Sequence, residues 1–157
     1  MDESTPVSRA LMALHIPHRV FRHASPVHSL EQAARERGQT PEQVVRSIVF
    51  RVAQGEYVMV LIAGRRQVSW PAVRRYLGQS RMTMASEAEV LTATGYQRGA
   101  VSPVGLPAPM RILVDERVME QTEISVGSGE RGVTIILNPE DLKRAIGEIE
   151  IGAYAEK

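Results

Sequence analysis

Arg46 is the charged residue on a strand face that otherwise carries Val44, Ile48, Phe50 and Val52. A guanidinium placed among apolar neighbours needs a partner or a ligand. Three readings are open for it: a ligand contact in a pocket, a structural ion pair, or a side chain that snorkels past the strand edge. Two glycine-rich stretches are the next features that can do chemistry. Gly95-Tyr-Gln-Arg-Gly99-Ala-Val-Ser102-Pro103-Val-Gly105 is loosened by glycine and stiffened by proline, and Gly127-Ser128-Gly129-Glu-Arg-Gly132 joins two apolar runs. Loops of this kind bring backbone N–H groups close to a carbonyl or a developing oxyanion. The second is also an ordinary composition for a strand-to-strand connection.

Other chemistries lack their residues. The chain has no cysteine, which removes disulfides, thiolate nucleophiles and Cys-ligated metals. His15, His18, His23 and His28 crowd one stretch, but their spacing fits neither a helical metal pair nor a zinc finger, and they fall on different elements. They are read as surface or structural histidines, with no metal and no cofactor expected. There is no Gly-x-Ser-x-Gly elbow, phosphate loop or dinucleotide fingerprint. Asp115-Glu116 reads as a helix start rather than an acid/base pair.

Several elements must position these residues. Ser4-Thr5-Pro6 opens a helix to about Ile16, with Val7, Leu11 and Leu14 on one face. His18 to His23 reads as a short strand. Ser29–Gln32 and Ser86–Glu89 are capping boxes, their helices closed by Gly38 and Gly95, and Thr40-Pro41 starts a further helical turn. Ser69 caps a helix to Leu77, and Asn138-Pro139 begins one to about Ile146. Strands are expected over Val44–Val52, Glu56–Ala63, Met110–Val114, Ile124–Gly127 and Val133–Leu137. With no regular strand–helix–strand rhythm, the expectation is a mixed α/β (α+β) fold, with a largely antiparallel mixed sheet and short helices around it.

The 157 residues suit one domain, 1–157. The longest apolar run, Tyr57–Ala63, is far short of the ~20 residues that span a bilayer. The polar, acidic start Met1-Asp2-Glu3-Ser4 does not read as a signal peptide, so a soluble, cytoplasmic protein is expected. The net charge of +1 argues against a strong global pull toward nucleic acid. Arginine dominates the basic set, with Lys143 and Lys157 its only lysines.

Taken in order, these stretches resemble the YbaK/prolyl-tRNA-synthetase-associated editing domain. Val44-Val45-Arg46-Ser47-Ile48-Val49-Phe50 is similar to that family's V-V-K-S/T-L-V-F strand, and Tyr57–Gly64 to the strand and turn that follow. Thr94-Gly95-Tyr96-Gln97-Arg98-Gly99-Ala100-Val101-Ser102-Pro103 matches T-G-Y-x-x-G-x-x-x-P. Ile112–Asp115 and the V-G-x-G turn Val126-Gly127-Ser128-Gly129 complete the likeness, which runs from about His28 to Leu142.

The resemblance implies a curved mixed sheet flanked by helices. It also implies hydrolysis of the ester joining a wrong amino acid to a tRNA, usually the tRNA for proline. Mischarged tRNA, and a synthetase beside it, would be the partners; no membrane and no cofactor are implied. By the same resemblance Arg46, Gly99, Ser102 and Pro103 form the catalytic set. Ser47, Gly95, Tyr96, Ala100, Val101, Gly127, Ser128 and Gly129 would contact substrate. The chain departs from the pattern at Arg46, where the family has lysine; arginine keeps its charge and does not give up a proton near neutral pH. A relative that binds an aminoacyl-adenosine-like ligand, a nucleotide or a protein without catalysis is the alternative.

Overall fold

The computed structural model describes residues 5–157, so the readings placed on Met1–Ser4 lie outside the described residues. In chain order the elements are α1 (Pro6–Ala13), β1 (Arg19–Arg22), α2 (Leu30–Arg37), a 3₁₀ turn (Pro41–Gln43), β2 (Val45–Ala53), β3 (Glu56–Ala63), α3 (Trp70–Leu77) and β4 (Thr83–Met84). They continue with α4 (Glu87–Thr94), β5 (Arg111–Asp115), α5 (Glu116–Met119), β6 (Ile124–Gly127), β7 (Val133–Leu137), α6 (Pro139–Ile146) and β8 (Glu150–Gly152).

Local chemistry sets most of these boundaries. The side chains of Thr5, Ser29, Ser69, Ser86 and Asn138 each accept a backbone N–H from the first turn of the helix they precede. Such a cap contributes about 1 kcal/mol. Around Ser29 the box is modified, because the Gln32 side chain accepts the N–H of His28 instead of that of Ser29. Helix α1 is shorter than its apolar spacing suggests. It stops at Ala13, His15 turns the chain at φ 59°, and Leu14 is left 52% exposed while Ile16 enters the core. Asp115 caps α5, as a helix-start residue should, but it is also fully buried. Its carboxylate accepts the N–H groups of Tyr154 (2.8 Å) and Ala155 (3.0 Å), which fastens β8 to the sheet edge.

The strands form two sheets. One is antiparallel, in the order β1-β7-β6; the other is mixed, β4-β2-β3-β5-β8, with β2–β3 an antiparallel hairpin and the β3–β5 and β5–β8 pairs parallel. A parallel bridge between Val44 and Ser125 is where they meet. Strand β3 is buried on both faces, which explains its unbroken apolar run. Met59 and Leu61 join Val45, Val49, Ile124 and Ile135 in the core shared by the two sheets. Val58, Val60 and Ile62 join Phe50, Val73 and Tyr154 under α3. Among the described residues no helix is long and apolar enough to cross a membrane.

Candidate functional site

The junction of the sheets is also where the two glycine loops meet. Gly95 ends α4, and the loop after it is braced from within. Tyr96 is buried and donates its hydroxyl to Val104 O (2.6 Å), and the Ser102 hydroxyl accepts the Val104 N–H (3.1 Å). Burial pushes the Tyr96 phenol above its ordinary pKa. In the β6–β7 connection the Ser128 hydroxyl donates to Val133 O (2.8 Å) and accepts the Glu130 N–H (3.1 Å). The loops then lock together. Gly129 N–H donates to Ala100 O (2.9 Å), and a Cβ on Gly127 would lie 2.0 Å from Val101 O. Gly127 is therefore required by close backbone approach. Gly99 is different: its φ of 92° suits glycine, while the space around it is open enough for a Cβ.

Against this double loop lies a cavity of about 530 Å³. Of the residues singled out in the sequence, Arg46, Ser47, Gly99, Val101 and Gly127 line it. Gly95, Tyr96, Ala100, Ser102, Pro103, Ser128 and Gly129 do not; of these, Tyr96, Ala100, Ser102, Ser128 and Gly129 make the bonds that brace the two loops. A second cavity of about 680 Å³, beside Gly55 and Pro107–Met110, contains none of the singled-out residues.

Arg46 has partners of a kind that strand alternation does not reveal. Its Nε donates to Gly64 O (2.8 Å) and its Nη2 to Arg66 O, so two backbone carbonyls of the turn after β3 take the guanidinium. Burial holds its pKa below the ordinary arginine value. Ser47, next along β2, has a buried hydroxyl oxygen with no hydrogen-bond partner, on the cavity wall. A buried hydroxyl left unmatched costs about 1–3 kcal/mol, so a ligand polar group is its natural complement.

Sequence reasoning passed over Arg37 and Ser125. Arg37 closes α2, and its Nε donates to His23 Nε2 (3.0 Å) while Nη1 donates to Ser125 Oγ (2.9 Å). His23 in turn places Nδ1 2.6 Å from a Glu36 carboxylate oxygen. An arginine N–H only donates, so Nε2 accepts and the proton of a neutral His23 sits on Nδ1, facing Glu36. Burial pushes the Arg37 guanidinium down to about 10. Arg98, also on the lining, is exposed and pairs with Glu87 (3.3 Å).

This chain resembles known proteins in sequence and in fold. It is 37% identical over 91 residues to a proline–tRNA ligase of Leuconostoc mesenteroides, a match covering 58% of this chain and 16% of that enzyme. A proline–tRNA ligase of Streptococcus pneumoniae is 32% identical over 114 residues, covering 72% of this chain and 18% of the ligase. The chain thus spans less than a fifth of the length of these relatives. Among solved structures, a candidate trans-editing enzyme for prolyl tRNA synthetase superposes with a TM-score of 0.85 at 23% identity, covering 99% of this chain and 100% of that one. A scaffold protein used for computational epitope grafting superposes at 0.87 and 22% identity, over 97% and 96%. These two likenesses show the fold. Residues 24–145 match the family model of the aminoacyl-tRNA editing domain, and the two glycine loops with the cavity they wall lie inside that span: the chain belongs to the aminoacyl-tRNA editing domain family.

Proposed function

We propose that this chain is a trans-acting deacylase that hydrolyses the ester between an amino acid and the 3′ end of a mischarged tRNA. The substrate is tRNA for proline carrying a small wrong residue such as alanine or cysteine. The observation that carries the reading is the interlocked wall of Gly99, Val101 and Gly127, which lines the same cavity as Ser47 with its unpartnered hydroxyl. An aminoacyl ester is already activated. Water held in line with the carbonyl, and donors facing the oxygen that becomes negative, supply the main requirements without a side-chain nucleophile.

The roles divide accordingly. Peptide groups of Gly99 and Val101, held in place by the rest of their loop, face the ester, Ser47 binds a polar group of the aminoacyl moiety, and Arg46 supplies positive charge at the edge of the cavity. The apolar lining from Val45, Val49 and Val101 limits the side chain that fits, which is how a sieve excludes larger residues. When the ester breaks, water adds to the carbonyl carbon, the ribose hydroxyl leaves with a proton, and the free amino acid departs. The double bonding of Arg46 to Gly64 and Arg66 carbonyls favours a second reading, in which the pocket binds an aminoacyl-adenosine-like ligand, nucleotide or protein without turnover.

Incubation of the purified chain with a panel of mischarged tRNAs separates the two. Loss of alanine or cysteine from tRNA for proline well above the spontaneous rate, unchanged by a chelator, is expected. Rates equal to the protein-free blank across the panel would leave only the binding reading.

A further inference from the structure

The cavity lining is lopsided in charge. Arg37, Arg46 and Arg98 all contribute to it, and among the described residues no aspartate or glutamate does. The rest is largely valine, alanine, serine and glycine. Arg46 and Arg98 have local partners: backbone carbonyls take the one and Glu87 the other. Arg37 is held differently. Its neighbours are the neutral ring of His23 and the hydroxyl of Ser125, both of which aim the guanidinium without cancelling its charge. The nearest acid along this chain of contacts, Glu36, sits on the far side of His23 and outside the lining, and its charge offsets only part of the cost of burying Arg37, which burial still holds below the ordinary arginine pKa. A cation brought this far from water needs an opposite charge nearby, and arginine matches carboxylate and phosphate oxygens with paired N–H bonds.

We infer that Arg37, aimed by His23 and Ser125, is an anion-binding residue of this cavity, and that a phosphate or carboxylate oxygen of the ligand docks on its remaining N–H bonds. The site goes beyond the hydrolytic reading, since it holds equally for a ligand that is bound and not cleaved. Two sources supply such an oxygen: the phosphate linking the last nucleotides of a tRNA, and the side-chain carboxylate of an acidic aminoacyl group. They share the same recognition chemistry and differ in charge and shape.

The test is a titration of the full chain with inorganic phosphate and, separately, with acetate, following the backbone amide resonances of Ser47, Gly99 and Gly127. Both ions are expected to shift these resonances saturably in the millimolar range. Tighter phosphate binding assigns the site to the nucleic-acid backbone; acetate binding as tight or tighter assigns it to an acidic aminoacyl group. Arg37→Gln should weaken either by about tenfold or more. Arg35→Gln, an exposed neighbour on α2 outside the lining, should titrate like the parent. Should Arg37→Gln fail to fold by circular dichroism, Ser125→Ala removes one of the two aiming contacts and should weaken binding about threefold. Absence of saturable shifts with both ions, or identical titrations in the parent and the folded variant, overturns the inference. Anion binding without deacylation refutes the hydrolytic reading and leaves this one standing; deacylation without anion binding does the reverse.

Discussion

The cavity has two unlike walls. One is backbone: the Gly99–Val101 segment and Gly127, pressed together so closely that Val101 O occupies the place of a Cβ on Gly127. The other is long side chains, Arg37 and Arg46, each held by a pair of hydrogen bonds at the end of a flexible stem. A backbone wall is positioned by exclusion, and whatever enters must displace peptide groups already bonded to each other. A side-chain wall is positioned by attraction, and it adjusts by rotamer when a partner changes. Substitutions in the first should therefore act together on shape and stability, while substitutions in the second should act on binding and leave the fold in place.

Gly127→Ala and Gly99→Val test the first wall, and the largest effect is expected from the smaller side chain. At Gly127 a methyl group meets Val101 O at 2.0 Å and Val101 C at 2.8 Å, so the loop must move. Overpacking of that kind costs about 3 kcal/mol. A displacement near 1 Å at a reacting centre lowers turnover by about a hundredfold. At Gly99 the nearest atom to a Cβ is Arg131 Nε at 3.7 Å, and the penalty is the left-handed φ, about 1–2 kcal/mol. Gly99→Val should stay folded yet, on the proposed hydrolytic reading, lose deacylation, because the branched side chain would stand where that reading brings the ester. Denaturant midpoints and deacylation rates measured together decide it. A Gly127→Ala protein as stable as the Gly99→Val one removes the distinction between collision and strain.

Arg46 tests the second wall. Arg46→Ala gives up the bond to the exposed Arg66 carbonyl, where water can replace the lost donor, and the bond to the carbonyl of Gly64, a buried residue. The stability loss should be about 2 kcal/mol. If the charge serves the substrate, deacylation falls about tenfold or more. Arg46→Lys keeps the charge and one donor direction, and should retain or raise activity. Parent-like kinetics in both variants would reduce Arg46 to a strut.

Much of the fold could be read from the sequence, since caps and alternation are written within a few residues. Ser86–Glu89 closes its capping box, Asn138 caps the final helix, and β6 and β7 have the bounds their apolar runs suggest. Strands β4 and β8 could not be read. Two or three residues such as Glu150–Gly152 show no period, and β8 owes its place to Asp115, whose carboxylate holds the N–H groups of Tyr154 and Ala155 across the chain. The site divides the same way. Arg46 interrupts an apolar strand face and so stands out. Arg37 ends a polar helix beside Gly38, where a cation complements the helix dipole and reads as a solvated surface residue. Its partners His23 and Ser125 come from other elements, distant in sequence. The backbone wall was half legible: glycine spacing marks both loops, but their interlocking is long-range.

The smallest expected effect lies one step behind Arg37 and bears on how adjustable that wall is. The Glu36 carboxylate is held below its ordinary pKa of 4.5, chiefly by the hydrogen bond from His23 and next by that from Gln32. A carboxyl group lowered in the folded state contributes stability that is fully present above the ordinary value and is lost as pH falls through the folded one. Glu36→Gln removes that titration but leaves a carbonyl oxygen that still accepts the His23 proton, so Arg37 keeps its aim. At neutral pH the variant should be slightly less stable than the parent and bind anions alike. Below pH 4.5 the difference should shrink, because the parent's carboxyl is itself becoming neutral. Denaturant midpoints across that range, parent against Glu36→Gln, measure the convergence. Curves that stay parallel through the acid limb would mean that Glu36 does not support His23 as a charged acceptor, and the chain of contacts that aims Arg37 would begin at His23 itself.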